Sequence, residues 1–175
     1  MATWNLDTAH TSADFAVKHM MFATVRGSFS GISGVIHFDP ANPAAAAVEA
    51  TIPAASISTG MADRDNHLRS PDFLDVANHA SITFKSKAVQ AADASHATVL
   101  GDLTIRGVTR EVTMEVDFLG TSKNPWGQQV AGFAGRTTIN REDFGLTWNQ
   151  VLEAGGVLVG KEIKIELNVE ANPAA

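Results

Sequence analysis

Residues 161–170 read KEIKIELNVE, and the alternation within them decides the fold class. Ile163, Ile165, Leu167 and Val169 fall on one side of an extended chain, and Glu162, Lys164, Glu166, Asn168 and Glu170 on the other. Successive side chains of a strand point to opposite faces, so this segment is a strand with one buried and one wetted face. A helix would scatter both sets around its circumference.

The same period of two recurs outward from there. Residues 99–118 predict a hairpin in which Gly101, Leu103 and Ile105 alternate with Asp102, Thr104 and Arg106. The chain turns over Gly107–Thr109, and Val112, Met114, Val116 and Phe118 then alternate with Glu111, Thr113, Glu115 and Asp117. Phe15, Val17, His19 and Met21 share one face of an early strand. Gly34, Ile36 and Phe38 share another, which Pro40 stops; Val48, Ala50 and Ile52 begin a third, and Ile82, Phe84 and Ser86 a fourth. Residues 131–139 are rich in Gly and Ala, with Phe133 as their aromatic residue. Glycine inside a strand marks a bend or a close approach.

Residues 58–75 break this rhythm. Their spacing predicts a short helix with Met61 and Leu68 inward, Ser58 or Thr59 as cap, and Asp63 and Asp65 near the positive end of the helix dipole. Ser70-Pro71 begins a second short turn carrying Phe73 and Leu74. Many short strands with one helical insert make an all-β, antiparallel sandwich or barrel. The 175 residues form a single domain, 1–175, large enough to bury a core without staples.

Composition narrows the function classes. The net charge is −6 with Lys and Arg scattered singly, so the basic face that a nucleic-acid binder needs is missing. With no cysteine, disulfides, thiolate chemistry and thiolate metal sites are excluded. No apolar run reaches the roughly 18 residues of a membrane-spanning helix, so stable membrane insertion is not expected. The opening MATWNLDTAH lacks a basic segment followed by an apolar one. A cytoplasmic location is the expectation from it, with a periplasmic or secreted one if a signal segment has been removed. Asp63, Asp65 and His67 do not make a metal site, because helix residues two apart do not face each other. No G-x-S-x-G or other nucleophile motif occurs, so no catalytic residue is assigned.

Apolar residues carry more information. Nine Phe, five Met and three Trp would be core filler in most folds, but eight strands close around an interior that holds side chains or one small ligand. A greasy ligand needs little specific chemistry there. Burial gives about 0.8 kcal/mol per CH₂, so ten such groups supply roughly 8 kcal/mol before ordering costs.

Four segments carry a resemblance: WNLDTAHTSADFAVKHMMFATVRGSFSGISGVIHFDP, SISTGMADRDNHLRSPDFLD, GDLTIRGVTREV and INREDFG. In this order and spacing the chain resembles the YceI-like family of polyisoprenoid-binding, lipocalin-like proteins over nearly its whole length. The resemblance implies an antiparallel lipocalin-like β-barrel of about eight strands with a short helical insert. It also implies an interior that binds, stores or transports a long-chain amphiphile: a polyisoprenoid, an isoprenoid quinone or an acyl chain. That molecule would be a ligand, with no cofactor and no metal, and a homodimer is a family expectation. The family's recurring positions include Asp7, His10, Gly27, Arg64, Asp65, His67, Gly107, Arg141 and Phe144.

Strand parity then nominates the ligand-binding residues: Phe15, Val17, His19, Met21, Phe29, Ile36, Phe38, Phe84, Leu103, Ile105, Met114, Val116, Phe133 and Trp148, with Leu68 and Phe73 of the insert covering the mouth. His19 interrupts an apolar face and is either a head-group contact or a satisfied core histidine. Two rival readings stay open. One is an enzyme acting on a bound isoprenoid with His19 or His67 as acid–base; the other is a barrel with a filled core that serves as a protein-interaction module.

Overall fold

Alternating apolar and polar residues form ten antiparallel strands in the computed structural model, which describes residues 2–150, 152 and 158–175. They are β1 (Ala2–Leu6), β2 (Ser12–His19), β3 (Ala23–Phe29), β4 (Ser33–Phe38), β5 (Ala47–Pro53), β6 (Ser81–Ala91), β7 (His96–Ile105), β8 (Val108–Lys123), β9 (Gln129–Asn140) and β10 (Glu162–Pro173). Eight of them close a ring in the order β1-β4-β5-β6-β7-β8-β9-β10, and β10 pairs back onto β1. Closure satisfies the ladder on both edges of every strand in the ring, which an open sheet cannot do.

Strand β10 is the seam. One edge runs against β9, from Glu162↔Asn140 to Ala171↔Ala131. Its other edge is divided: Lys164–Asn168 pair with β2, and Ala171–Pro173 pair with β1. β2 in turn carries β3 as a hairpin, from Ala13↔Phe29 to His19↔Ala23. The free side of β3 is tied to the insert by two backbone hydrogen bonds of 2.9 Å between Ser28 and Ser58.

The hairpin read at 99–118 is longer than expected and its turn is tighter. Ile105 pairs with Val108, so the turn is Arg106-Gly107 and not 107–109. Both residues have positive φ, 52° and 72°, the pattern of a two-residue turn whose twist matches its strands. β8 and β9 pair past the level of Phe118↔Phe133 as far as Lys123↔Gln129, so their hairpin projects beyond the β6–β7 loop.

Between β5 and β6 lies the insert. Its helix, α1, spans Ala62–Arg69. Met61 precedes it without a side-chain cap, and it is exposed where the spacing predicted it inward. Thr59 does not cap the helix; its amide and hydroxyl both donate to the buried Asp65 carboxylate, while Arg64 donates to the Thr59 hydroxyl and carbonyl. This network holds the insert's own entrance turn together. Besides the Ser28–Ser58 pair, Arg106 ties the insert to the barrel: its Nη1 donates to the Phe73 carbonyl at 2.7 Å.

Two apolar clusters occupy the interior. One gathers Ile57, Phe73, Leu74, Ile82, Leu103, Ile105, Phe144 and Leu146 beneath the insert. The other gathers Trp4, Leu6, Ile32, Ile36, Phe38 and Phe133 toward the opposite side of the barrel.

Candidate functional site

A cavity of about 320 Å³ runs through the barrel between and along these clusters. That volume falls at the lower end of the range of about 300–1,000 Å³ for ligand sites. Along β7 the wall extends from Ala97 to Ile105, roughly 26 Å of strand at about 3.3 Å per residue. The cavity is therefore long and narrow.

Small residues keep it open. The Phe15 ring lies across Gly27 and the Phe84 ring across Gly101, so close that a Cβ at either glycine would meet the ring. Each aromatic thus lies along the wall instead of crossing the lumen. Ala13, Ala50 and Gly135 add further shallow positions.

Thirteen of the sixteen nominated residues line this cavity: Phe15, Val17, Phe29, Ile36, Phe38, Phe84, Leu103, Ile105, Met114, Val116 and Phe133 from strand parity, and Leu68 and Phe73 from the insert. Three do not. His19 is the last residue of β2 and is exposed, and the chain then turns through Met20 and Met21 with φ of 51° and 65°. Parity ends where the strand ends, so Met21 projects into solvent at 65% exposure. Trp148 lies outside any strand and packs on His67 and Phe73, with ring centroids 4.7 and 5.3 Å away, so it backs Phe73 from behind.

The parity argument also left residues out. Ile163, Ile165, Leu167 and Val169 line the cavity, and their alternation was already the plainest in the chain. Val89 lines it because a bulge between Ser86 and Ala88 shifts the register of β6, which no period of two could reveal.

The two ends of the cavity differ. Beneath the insert the wall is formed by Leu68, Phe73, Leu74, Leu146 and Arg141, and Phe73 and Leu74 are buried. The insert therefore closes an end of the cavity, where the expectation had Leu68 and Phe73 covering the mouth. At the opposite end Pro43, Ala46, Ala47 and Asp93–His96 form the wall, and all are half-buried or exposed. This is the mouth.

Each end carries its own polar chemistry. At the mouth, the Asp93 carboxylate accepts from the Ser95 amide at 2.8 Å and lies 2.9 Å from His96 Nδ1. The hydrogen bond to Asp93, with the charges of Asp93 and Asp117, raises the His96 pKa above its ordinary value. The Ser95 amide first, and His96 second, hold Asp93 below its own. At the closed end, Arg141 is 2% exposed. Its Nε donates to the Gly160 carbonyl, Nη1 to those of Leu146 and Trp148, and Nη2 to that of Val159. Burial lowers its pKa, although an arginine remains charged in proteins.

Elsewhere, Asp7, His10 and Glu170 approach closely enough to hold an ion, but they form surface ion pairs at the β1–β2 turn, with His10 Nδ1 2.9 Å from Asp7 and 3.8 Å from Glu170. Asp63, Asp65 and His67 do not converge: Asp65 serves Thr59, and His67 Nε2 lies 2.9 Å from Asp72.

Comparison with known proteins sets this geometry among relatives. The YceI-like domain profile matches residues 4–171. A UPF0312 protein of Staphylococcus aureus strain MSSA476 is 43% identical over 171 residues, 97% of each chain. The crystal structure of Burkholderia cenocepacia BcnA is similar with a TM-score of 0.82 and 25% identity, covering 94% of this chain and 98% of that one. A polyisoprenoid binding domain from Saccharophagus degradans shares the fold, with a TM-score of 0.68 and 14% identity over 99% of this chain and 100% of its own.

Proposed function

The chain belongs to the YceI-like family, and on that premise we propose that its barrel binds a long-chain amphiphilic lipid and serves to store or carry it. The ligand class is a polyisoprenoid, an isoprenoid quinone or an acyl chain. The carrying observation is the long cavity, whose wall is apolar along nearly all its length and which opens at the Asp93–His96 end. The related fold of a polyisoprenoid binding domain supports the same reading. Apolar burial supplies the affinity at about 0.8 kcal/mol per CH₂, so few hydrogen bonds are needed.

Both rivals lose support. The histidines of the enzyme reading lie off the cavity wall: His19 is exposed, and His67 is edge-on to Phe73 and Trp148. Ser95, His96 and Asp93 cluster at the mouth, but Ser95 Oγ and Asp93 both address His96 Nδ1, at 3.4 and 2.9 Å. A nucleophile and its orienting acid need opposite ring nitrogens. The filled-core module is at odds with an open interior of about 320 Å³.

The test is native mass spectrometry of the purified protein, followed by solvent extraction. The expected result is a bound isoprenoid, quinone or acyl chain in fair stoichiometry. Val116→Trp, which adds an indole to the wall, is expected to abolish that occupancy while circular dichroism still reports a folded barrel. A protein that stays free of lipid after incubation with such molecules, or a folded Val116→Trp variant with undiminished occupancy, would overturn the proposal.

A further inference from the structure

The loops around the mouth differ in height and in charge. The β6–β7 loop carries Asp93 and ends at the level of Phe118, whose amide donates to the Ser95 carbonyl at 2.8 Å. From there β8 and β9 run on to Lys123↔Gln129, so the tip of their hairpin stands roughly 15 Å further along the strands. At that tip Trp126 is 82% exposed, and Leu119 of the same hairpin is 68% exposed. In the ring of eight strands the β4–β5 loop lies opposite this hairpin, across the mouth.

A single exposed apolar side chain needs no explanation. This one, however, is held out by a built turn. Asn124 Oδ1 accepts from the amides of Trp126 and Gln128 at 3.0 Å each. The Asn124 amide donates to the Gln128 carbonyl, and the Gly127 amide to the Asn124 carbonyl, both at 2.9 Å. The backbone beneath the indole is thereby fixed. Charge fits the same picture. The chain has 19 Asp and Glu, yet none falls between Phe118 and Gly135, where Lys123 is the one charged residue. Across the mouth, residues 40–48 read PANPAAAAV and carry no charge. Asp93 is set back from the tip by more than the screening length of about 8 Å at physiological ionic strength.

The narrowness of the tip selects its partner. Two strands side by side cannot supply the roughly 800 Å² per partner of a stable protein interface. A fluid bilayer accepts a single wedge without shape complementarity. Trp, with an apolar body and a polar N–H, settles at the boundary between head groups and acyl chains.

We propose that the β8–β9 hairpin seats the mouth on a lipid bilayer. The Trp126 indole enters the head-group boundary, Lys123 meets lipid phosphates, and the cavity opens toward the membrane that supplies or receives its cargo. This rests on the lipid-binding reading for its purpose, but the contact itself is measured without cargo.

The full chain is floated through a density gradient with phosphatidylcholine vesicles, at low and at high salt. It is expected to rise with the vesicles at both, because the contact is mainly apolar. Its tryptophan emission is expected to be quenched by phosphatidylcholine brominated in the acyl chains near the head group. Trp126→Ser, at an exposed position, should stay folded by circular dichroism, lose about tenfold or more in vesicle partitioning, and lose the quenching. Trp126→Phe should keep most of the partitioning while losing the quenching. Phe22→Ser removes the 86% exposed ring of the β2–β3 turn at the other end of the barrel, and should change neither readout. A parent protein that stays at the bottom of the gradient, a Trp126→Ser protein that partitions like the parent, or loss of contact in Phe22→Ser instead would overturn the docking. Solvent extraction of the same protein separates this from the reading beneath it. Lipid-loaded protein that ignores vesicles overturns the docking alone; vesicle-bound protein that never takes up lipid supports the docking and removes the cargo reading.

Discussion

At the scale of single residues, the lumen depends on what is missing as much as on what is present. Gly101 and Gly27 give the Phe84 and Phe15 rings a floor to lie on. Gly101→Ala is expected to push the Phe84 ring inward, because the new methyl would meet the ring and, at 2.7 Å, the Lys85 carbonyl. Overpacking of this kind costs about 1–3 kcal/mol. Denaturant unfolding should show that loss, and extraction should show less lipid per protein; unchanged values for both would mean the ring has room to spare. His96 offers a titration. Its folded pKa is raised above the ordinary 6.5, so its pair with Asp93 stabilises the fold fully below that pH and stops doing so as pH rises through the folded value. Asp93 is depressed from 3.8, so its share is present above 3.8 and is lost as pH falls through its folded value. NMR of the imidazole should give a midpoint above 6.5, and Asp93→Asn should bring it back down; an unmoved midpoint would deny the pairing. None of this could be read from residue types alone, since rings over glycines and a lone buried arginine arise only when distant strands meet.

Elements were far more legible. Alternation over 161–170 and 99–118 gave faces that agree with the burial along β10, β7 and β8. What it misjudged were ends and interruptions. His19 and Met21 went wrong because β2 stops, and Val89 was missed because β6 bulges between Ser86 and Ala88. In the insert, Met61 was assigned inward by helical spacing, but only eight residues form the helix and packing against the barrel chose Leu68. The β7–β8 turn is the element whose chemistry is easiest to test. Gly107 has φ of 72°, and a Cβ there would lie 3.0 Å from the His79 ring. Gly107→Ala is expected to lower unfolding free energy by about 1–2 kcal/mol, the cost of a left-handed backbone for a residue with a Cβ. A midpoint of denaturation equal to that of the parent protein would show that the turn relaxes without penalty.

For the whole molecule, a barrel of about eight strands with a helical insert was the expectation, and an eight-strand ring with a two-strand hairpin laid along its seam is the result. The surplus hairpin was illegible because β1 and β2 share one edge of β10, a division that depends on register and not on pattern. That seam has a consequence for how the protein comes into being. Trp4 pairs with Pro173, so the barrel's first strand waits for its last before the cylinder can close. Until then β1, β2 and β9 each lack the partner that β10 supplies, and the apolar face that lines the cavity stands open to solvent. Folds dominated by such distant pairings form slowly, over milliseconds to seconds. The nascent chain therefore spends its synthesis as half a trough, and a chaperone, or the cargo itself, is the natural company for it during that interval.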